Sequence, residues 1–136
     1  MGKHRFRILD TNVLINHWRC LPPSKRNEAE VTKWARRLIE GYNTNLIASP
    51  VRIEFLCGVR SSQEIKLSLA YLEPFEAVDQ RQIPRHDWEE AESVSKRVPL
   101  TGRVRKLGDC LLKAISLRLN CDIVSGDADF ERRVPT

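Results

Sequence analysis

The sequence predicts one α/β domain, in which a mostly parallel sheet of four to five strands is covered by helices on both faces. Short apolar segments alternate along the chain with longer segments of helical periodicity, which is typical of parallel strands joined by right-handed crossovers. The length of 136 residues is that of one domain, and 41% hydrophobic residues suffice for a core. No internal repeat or low-complexity linker interrupts the chain, so we expect residues 1–136 to fold as one unit.

The first predicted strand is the apolar run that begins at Phe6 and ends before Asp10. Apolar residues resume directly after Asn12, and we expect a helix there that ends before Pro22. A second helix should begin at Asn27, where Glu30 completes a capping pair. Its apolar stripe continues until Gly41 and consists of Val31, Trp34, Ala35 and Leu38.

A second buried strand is predicted at Asn45–Ala48, followed by a helix that begins at Ser49 with a proline in its first turn and reaches Cys57. The segment Ser62–Leu72 should form a further helix. Three of its residues recur at helical spacing and are expected to face the core, namely Ile65, Leu69 and Leu72.

The third strand is predicted at Phe75–Val78, and Asp87–Val98 should be a helix with an apolar side formed by Trp88, Ala91, Ser95 and Val98. The last helix is expected to begin near Gly108 and to end at Asn120. It should bury Leu111, Leu112, Ile115 and Leu119. The segment Asp122–Ser125 is the fourth predicted strand. Among the aromatic residues, Trp34 and Trp88 are expected in the core.

The charge balance favours a polyanionic partner. The chain has 23 Lys and Arg residues against 18 Asp and Glu residues, a formal charge of +5. The segment Lys96–Lys106 contains five positive charges and no acid. We expect it to contact the phosphate backbone of a nucleic acid through Arg103, Arg105 and Lys106. The alternative is a solvated surface loop.

The cysteine pattern argues against a disulfide framework and against a zinc site. The four cysteines are scattered without a C-x-x-C pair, and the three histidines do not supply zinc-binding spacings. Apolar neighbours surround Cys57, Cys110 and Cys121, so we expect reduced, packed thiols in a cytoplasmic protein. The N-terminus lacks a signal peptide, and no segment is long enough to cross a membrane.

Acidic residues stand where predicted strands end or where helices begin. Asp10 follows the first strand, Asp127 follows the fourth, Asp109 opens the last helix and Glu54 lies early in the helix after the second strand. Parallel strands end at the same edge of a sheet, so these acids should share one crevice. Carboxylates about 4 Å apart repel by roughly 4 kcal/mol at an effective dielectric near 20. Oxygen ligands without His or Cys indicate Mg²⁺ or Mn²⁺, which in-line displacement at phosphorus requires.

Each acid taken alone also has a structural interpretation. Asp10 and Asp109 are suitable helix caps, Asp127 is a suitable turn residue, and Glu54 could pair with Arg52 or Arg60. A different enzyme class, a phosphatase with Asp10 as its nucleophile, would need a second acid two residues further on. Asn12 stands at that position, which argues against this class.

Four segments of the chain resemble a PIN domain, most closely the VapC-type toxins of prokaryotic toxin–antitoxin pairs. They read L-D-T-N-V-L-I, P-V-R-I-E-F-L-C-G, G-D-C-L-L-K-A-I-S-L-R-L-N and I-V-S-G-D-A-D-F, in order over nearly the whole chain. The resemblance implies an endoribonuclease that depends on Mg²⁺ or Mn²⁺. It implies metal binding by Asp10, Glu54, Asp109 and Asp127.

The same resemblance implies that Thr11, Asn12 and Ser125 support those acids. The last segment offers two carboxylates, and we favour Asp127 because it lies two residues after Ser125; a role for Asp129 as a second-shell or weak second-metal ligand stays open. A cognate antitoxin and a homodimer are implied as well. Two alternatives stay open within the family: a PIN nuclease of RNA processing that is not a toxin, and a non-catalytic module that binds RNA or protein. The second would be expected to have lost one or more acids, and all four are present.

Overall fold

The four strands of the fold form two parallel pairs. In the computed structural model, which describes residues 5–97 and 106–125, the strands are β1 (Arg7–Leu9), β2 (Leu46–Ile47), β3 (Glu76–Ala77) and β4 (Asp122–Val124). β1 pairs with β4, with Ile8 opposite Ile123, and β2 pairs with β3. The parallel arrangement agrees with the sequence prediction.

The two pairs lie side by side but do not form one continuous ladder. At the junction of β1 with β2, the Thr44 hydroxyl donates to the carbonyl of Arg7 at 2.7 Å, and the Arg7 guanidinium donates to the carbonyl of Tyr42. Side chains therefore take the place of the backbone bonds expected between these strands. The predicted single sheet of four to five strands is not confirmed within the described residues, where each strand has only two or three residues.

The helices begin and end close to the predicted positions. They are α1 (Thr11–Arg19), α2 (Glu28–Tyr42), α3 (Ser49–Cys57), α4 (Ser62–Leu72), α5 (Arg85–Ser95) and α6 (Leu107–Leu119), with a short 3-10 turn at Pro23–Lys25. The side chain of Asn27 caps α2 by accepting from the N–H of Glu30 at 2.9 Å, as predicted. α2 ends at the left-handed residue Asn43 rather than at Gly41, and Asn120 ends α6 in the same way.

The main core lies between the strands and helices α1 to α4. Its largest fully buried side chain is Tyr71, which contacts the rings of Trp18, Phe55 and Phe75. His17 places its Nδ1 2.6 Å from the Tyr71 hydroxyl and stacks on Trp34 at 4.4 Å. Trp34 packs against the core, as predicted.

Several predicted core positions are exposed instead. Trp88 is 48% exposed because α5 packs on α6 through its neighbours Asp87 and Ala91. Asp87 is fully buried, and both of its carboxylate oxygens accept from Nε of Arg118, at 2.9 and 3.0 Å. On α4 the buried side is formed by Ser68, Tyr71 and Leu72, which leaves Ile65 and Leu69 exposed.

Cys110 and Cys121 are buried free thiols, whereas the prediction that Cys57 is packed is wrong, since it lies exposed at the end of α3. The last residue of the predicted α5 stripe, Val98, lies outside the described residues. Within the described ranges, no helix combines the length and the apolar composition that a membrane span requires.

Candidate functional site

The strands β1 and β4 end at the same edge, and polar residues follow both. Asp10 continues β1, and its N–H donates to the carbonyl of Val124 at 2.9 Å. Ser125 follows β4 and is 2% exposed. The pairing register therefore brings the first residue after β1 next to the first residue after β4, which is the juxtaposition expected from parallel strands.

Asp10 is the N-cap of α1. Its Oδ1 accepts from the N–H of Thr11 at 2.6 Å, so the capping interpretation of this residue is correct. Capping uses only one of the four or so lone pairs of a carboxylate. The remaining oxygen positions are available for a further ligand, and the cap fixes the orientation of the side chain.

Glu54 lies between α1 and α6. The hydroxyl of Thr11 donates to Glu54 Oε1 at 3.0 Å. On the other side, a Cβ placed on Gly108 would come within 2.5 Å of Glu54 Oε1 and 2.8 Å of Glu54 Oε2. The carboxylate therefore lies directly against the first turn of α6, and only a glycine at position 108 leaves room for it.

Asp109 is the residue after Gly108 and is exposed in the first turn of α6. It does not cap the helix, since the N-cap position is occupied by Lys106. The pKa of Asp10 is raised to about 6, chiefly because burial disfavours the charged form. The hydrogen bond from the Thr11 N–H opposes this effect, and the negative charges of Asp109 and Glu54 add to it. Asp109 and Glu54 thus each repel the Asp10 carboxylate.

No described residue neutralises this acidic cluster. Within residues 5–97 and 106–125, Asp10, Glu54 and Asp109 form no ion pair with a basic side chain, so the proposed pairing of Glu54 with Arg52 or Arg60 is absent there. Among the same residues, no group of three Asp, Glu, His or Cys side chains is close enough to hold a metal ion as the side chains stand. The donor chemistry nevertheless fits Mg²⁺ or Mn²⁺, because all donors are oxygens and a cation would relieve their repulsion.

Of the other predicted site residues, the structure describes some and not others. Asn12 is exposed in the first turn of α1, and Lys106 is exposed at the start of α6. Four further predicted residues lie outside the described ranges, namely Asp127, Asp129, Arg103 and Arg105.

Asp79 is not among the site residues predicted from the sequence, although it directly follows the predicted third strand, as Asp10 follows the first. Asp79 is 5% exposed and accepts from the Ser49 hydroxyl at 2.7 Å, the Ser49 N–H at 3.2 Å and the Arg81 N–H at 3.1 Å. It supplies the cap that Ala48 cannot give to α3. An acid directly after an apolar strand segment was the available signal, and here the role is structural.

One of the comparisons with known proteins identifies a family. The model of the PIN domain family matches residues 7–134, a range that includes Asp10, Glu54, Asp109 and Asp127. No curated protein and no solved structure matches the chain significantly.

Proposed function

The chain belongs to the PIN domain family, and on that premise we propose that it is an endoribonuclease that uses Mg²⁺ or Mn²⁺ to hydrolyse RNA phosphodiester bonds. PIN domains are generally nucleases that act on RNA or other nucleic acids. The observation that carries the proposal is that Glu54 and Asp109 both lie near Asp10 at the end of β1, and that none of the three forms an ion pair with a described basic side chain.

Asp10, Glu54 and Asp109 would hold the ion, with Asp127 as the fourth acid. A divalent ion bound there supplies the positive charge and the activation of water that phosphodiester hydrolysis needs. The Thr11 N–H orients Asp10, and the Thr11 hydroxyl orients Glu54. Asp109, being exposed, faces the solvent from which the substrate arrives.

The expected products carry a 5′-phosphate and a 3′-hydroxyl. Water is the nucleophile in this reaction, so the ribose 2′-hydroxyl is not required to attack. Products that end in a 2′,3′-cyclic phosphate would contradict the proposal, because they arise from attack by the 2′-hydroxyl without a metal-activated water.

We further propose that the protein is the toxin of a toxin–antitoxin pair, which a cognate antitoxin inhibits and which acts as a homodimer. Support for this comes from the resemblance of its four acidic segments to VapC-type toxins. Growth arrest on expression of the wild type, but not of Asp10→Asn, is the expected result. RNA cleavage in vitro without growth arrest would favour a PIN nuclease of RNA processing.

The direct test is cleavage of single-stranded RNA by the purified protein with Mn²⁺ and with EDTA. Asp10→Asn should abolish cleavage while the protein stays folded. Asp122→Asn is the matched control, because it removes an acid that begins β4 and pairs with Arg5 at 3.3 Å, away from the candidate site. Equal cleavage in Mn²⁺ and after exhaustive EDTA dialysis would refute the metal-dependent mechanism. A folded wild type that neither binds nor cleaves RNA would refute the nuclease itself.

A further inference from the structure

We propose that Arg52 and Arg81 form a subsite for a phosphate of the RNA backbone, beside the three acids and separate from the scissile phosphate. This inference rests on the proposed function, since it names a part of the chain that would hold the substrate. The two arginines belong to other segments of the chain than the predicted basic run at Lys96–Lys106.

A hydrogen-bonded clamp brings the segments of these two arginines together. Asp79 accepts from Ser49 at the start of α3 and from the N–H of Arg81 in the turn after β3. Arg52 lies three residues after Ser49 on α3, and residues at that spacing share one side of a helix. Arg52 therefore lies on the side of α3 at which Ser49 contacts the turn that contains Arg81.

The turn itself has a fixed and uncommon backbone. Gln80 and Arg81 both adopt left-handed conformations, with φ values of 54° and 60°. The bond from the Arg81 N–H to buried Asp79 holds this conformation, because Asp79 is itself anchored to α3. The position from which the Arg81 side chain starts is thus set by the fold.

The two side chains form a positive pair without a described acidic partner. Burial lowers the pKa of Arg52, and the positive charge of Arg81 lowers it further. Within residues 5–97 and 106–125, neither guanidinium forms an ion pair or a hydrogen bond with another side chain.

Such a pair does not stabilise the fold, since like charges repel. An anion placed between the groups would reverse this repulsion, and the planar fork of arginine matches the oxygens of a phosphate in bidentate geometry. A phosphate is therefore the ligand class that fits the pair best.

The order of the strands shows where the arginine pair lies relative to the three acids. β3 lies next to β2, and β2 lies next to β1, so Arg81 follows the strand two places from the one that ends at Asp10. Two strand spacings amount to about 10 Å. Arg52 and Glu54 belong to the same helix, α3, and at a spacing of two residues they lie on different sides of it. A strand of RNA with one phosphate at the acids would hold another phosphate, further along the strand, at the arginine pair.

The test measures binding of a fluorescently labelled single-stranded RNA oligonucleotide in EDTA over a series of salt concentrations. The variants are Arg52→Gln with Arg81→Gln, the charge-preserving pair Arg52→Lys with Arg81→Lys, and the control pair Arg36→Gln with Lys66→Gln. The control removes two exposed positive charges from α2 and α4. Thermal melts verify folding, and each single glutamine variant is measured should the double variant unfold.

Loss of the pair should reduce the log–log slope of affinity against salt by about 0.7, the value for one phosphate contact on a single strand. The lysine pair should keep the slope and bind more weakly, because lysine cannot bind a phosphate in bidentate fashion. The control pair should keep the wild-type slope. A glutamine pair with the slope of the control would overturn the subsite, while RNA cleavage by the wild type in Mn²⁺ would leave the proposed function standing. A wild type that neither binds nor cleaves RNA would overturn both.

Discussion

The Glu54 carboxylate lies against the backbone of Gly108, so that a Cβ on Gly108 would come within 2.5 Å of Glu54 Oε1. This contact joins α3 to the first turn of α6. It places the Glu54 carboxylate against Gly108, the residue that precedes Asp109. The positive end of the helix dipole favours a carboxylate at this position. The contact explains how an acid without a described basic partner is held partly buried.

Gly108→Ala tests that contact. The new methyl group would displace the Glu54 carboxylate, which is the far end of a flexible side chain, so the free energy of unfolding should change by less than about 1 kcal/mol. RNA cleavage should nevertheless fall by about tenfold or more, because displacing a functional group by about 1 Å greatly lowers the reaction rate.

Gly41→Ala is the matched control for this substitution. Gly41 lies within α2, and a Cβ there meets nothing within 4 Å. Replacement should stabilise the protein by roughly 0.5–1 kcal/mol and leave cleavage unchanged. If Gly108→Ala behaves in the same way in both chemical denaturation and cleavage assays, the Glu54 contact has no role in function.

Thr11→Val removes the hydroxyl that donates to Glu54 Oε1 at 3.0 Å and keeps the shape of the side chain. The backbone bond from the Thr11 N–H to Asp10 stays in place. We expect lower affinity for Mn²⁺, measured by calorimetric titration, because Glu54 loses the group that orients it. Thr11→Ser, which retains the hydroxyl, should retain the affinity; a loss of equal size in both variants would assign Thr11 a packing role only.

His17 should make the protein sensitive to acid. Burial lowers the pKa of His17 from 6.5 to about 4, so the folded state favours the neutral ring. The stability that His17 contributes is complete above pH 6.5 and is lost as the pH falls toward 4, by about 1–2 kcal/mol after allowance for partial exposure.

The contribution of Asp10 to stability changes in the opposite direction over the same pH range. Its pKa is raised from 3.8 to about 6, so its contribution is complete below pH 3.8 and is lost as the pH rises through 6. Denaturant unfolding of Asp10→Asn in EDTA should therefore show a steeper loss of stability on acidification than the wild type. Adding His17→Gln to that variant should flatten the curve. An unchanged curve after His17→Gln would show that His17 is not held neutral.

The placement of the acids was predictable from sequence because it depends on topology. Asp10 follows an apolar strand, Asp109 begins a helix that leads into another strand, and parallel pairing brings their ends to one edge. The same reasoning could have identified Asp79, yet it would not have revealed that Ser49 and Arg81 satisfy its carboxylate.

Features that depend on how one element packs against another could not be predicted. Periodicity placed Trp88 in the core, whereas the ion pair of buried Asp87 with Arg118 turns that side of α5 outward. The hydrogen bonds of Asp79 that join α3 to the turn after β3, and so bring the segments of Arg52 and Arg81 together, are also tertiary contacts. A local pattern identifies which residues share a side of a helix, but not which side faces the core.

The most direct test of the central claim is the thermal unfolding of the wild type and of Asp10→Asn, each in EDTA and in Mn²⁺. If the three carboxylates form a metal site, Mn²⁺ at about 100 times its dissociation constant stabilises the wild type by roughly 2.7 kcal/mol. Asp10→Asn should lose most of that response, and in EDTA at neutral pH it should be at least as stable as the wild type, because it removes a buried charge that two other acids repel. A wild type that does not respond to Mn²⁺, together with an Asp10→Asn variant that is about 1 kcal/mol less stable in both buffers, would contradict the account and leave Asp10 as a helix cap alone.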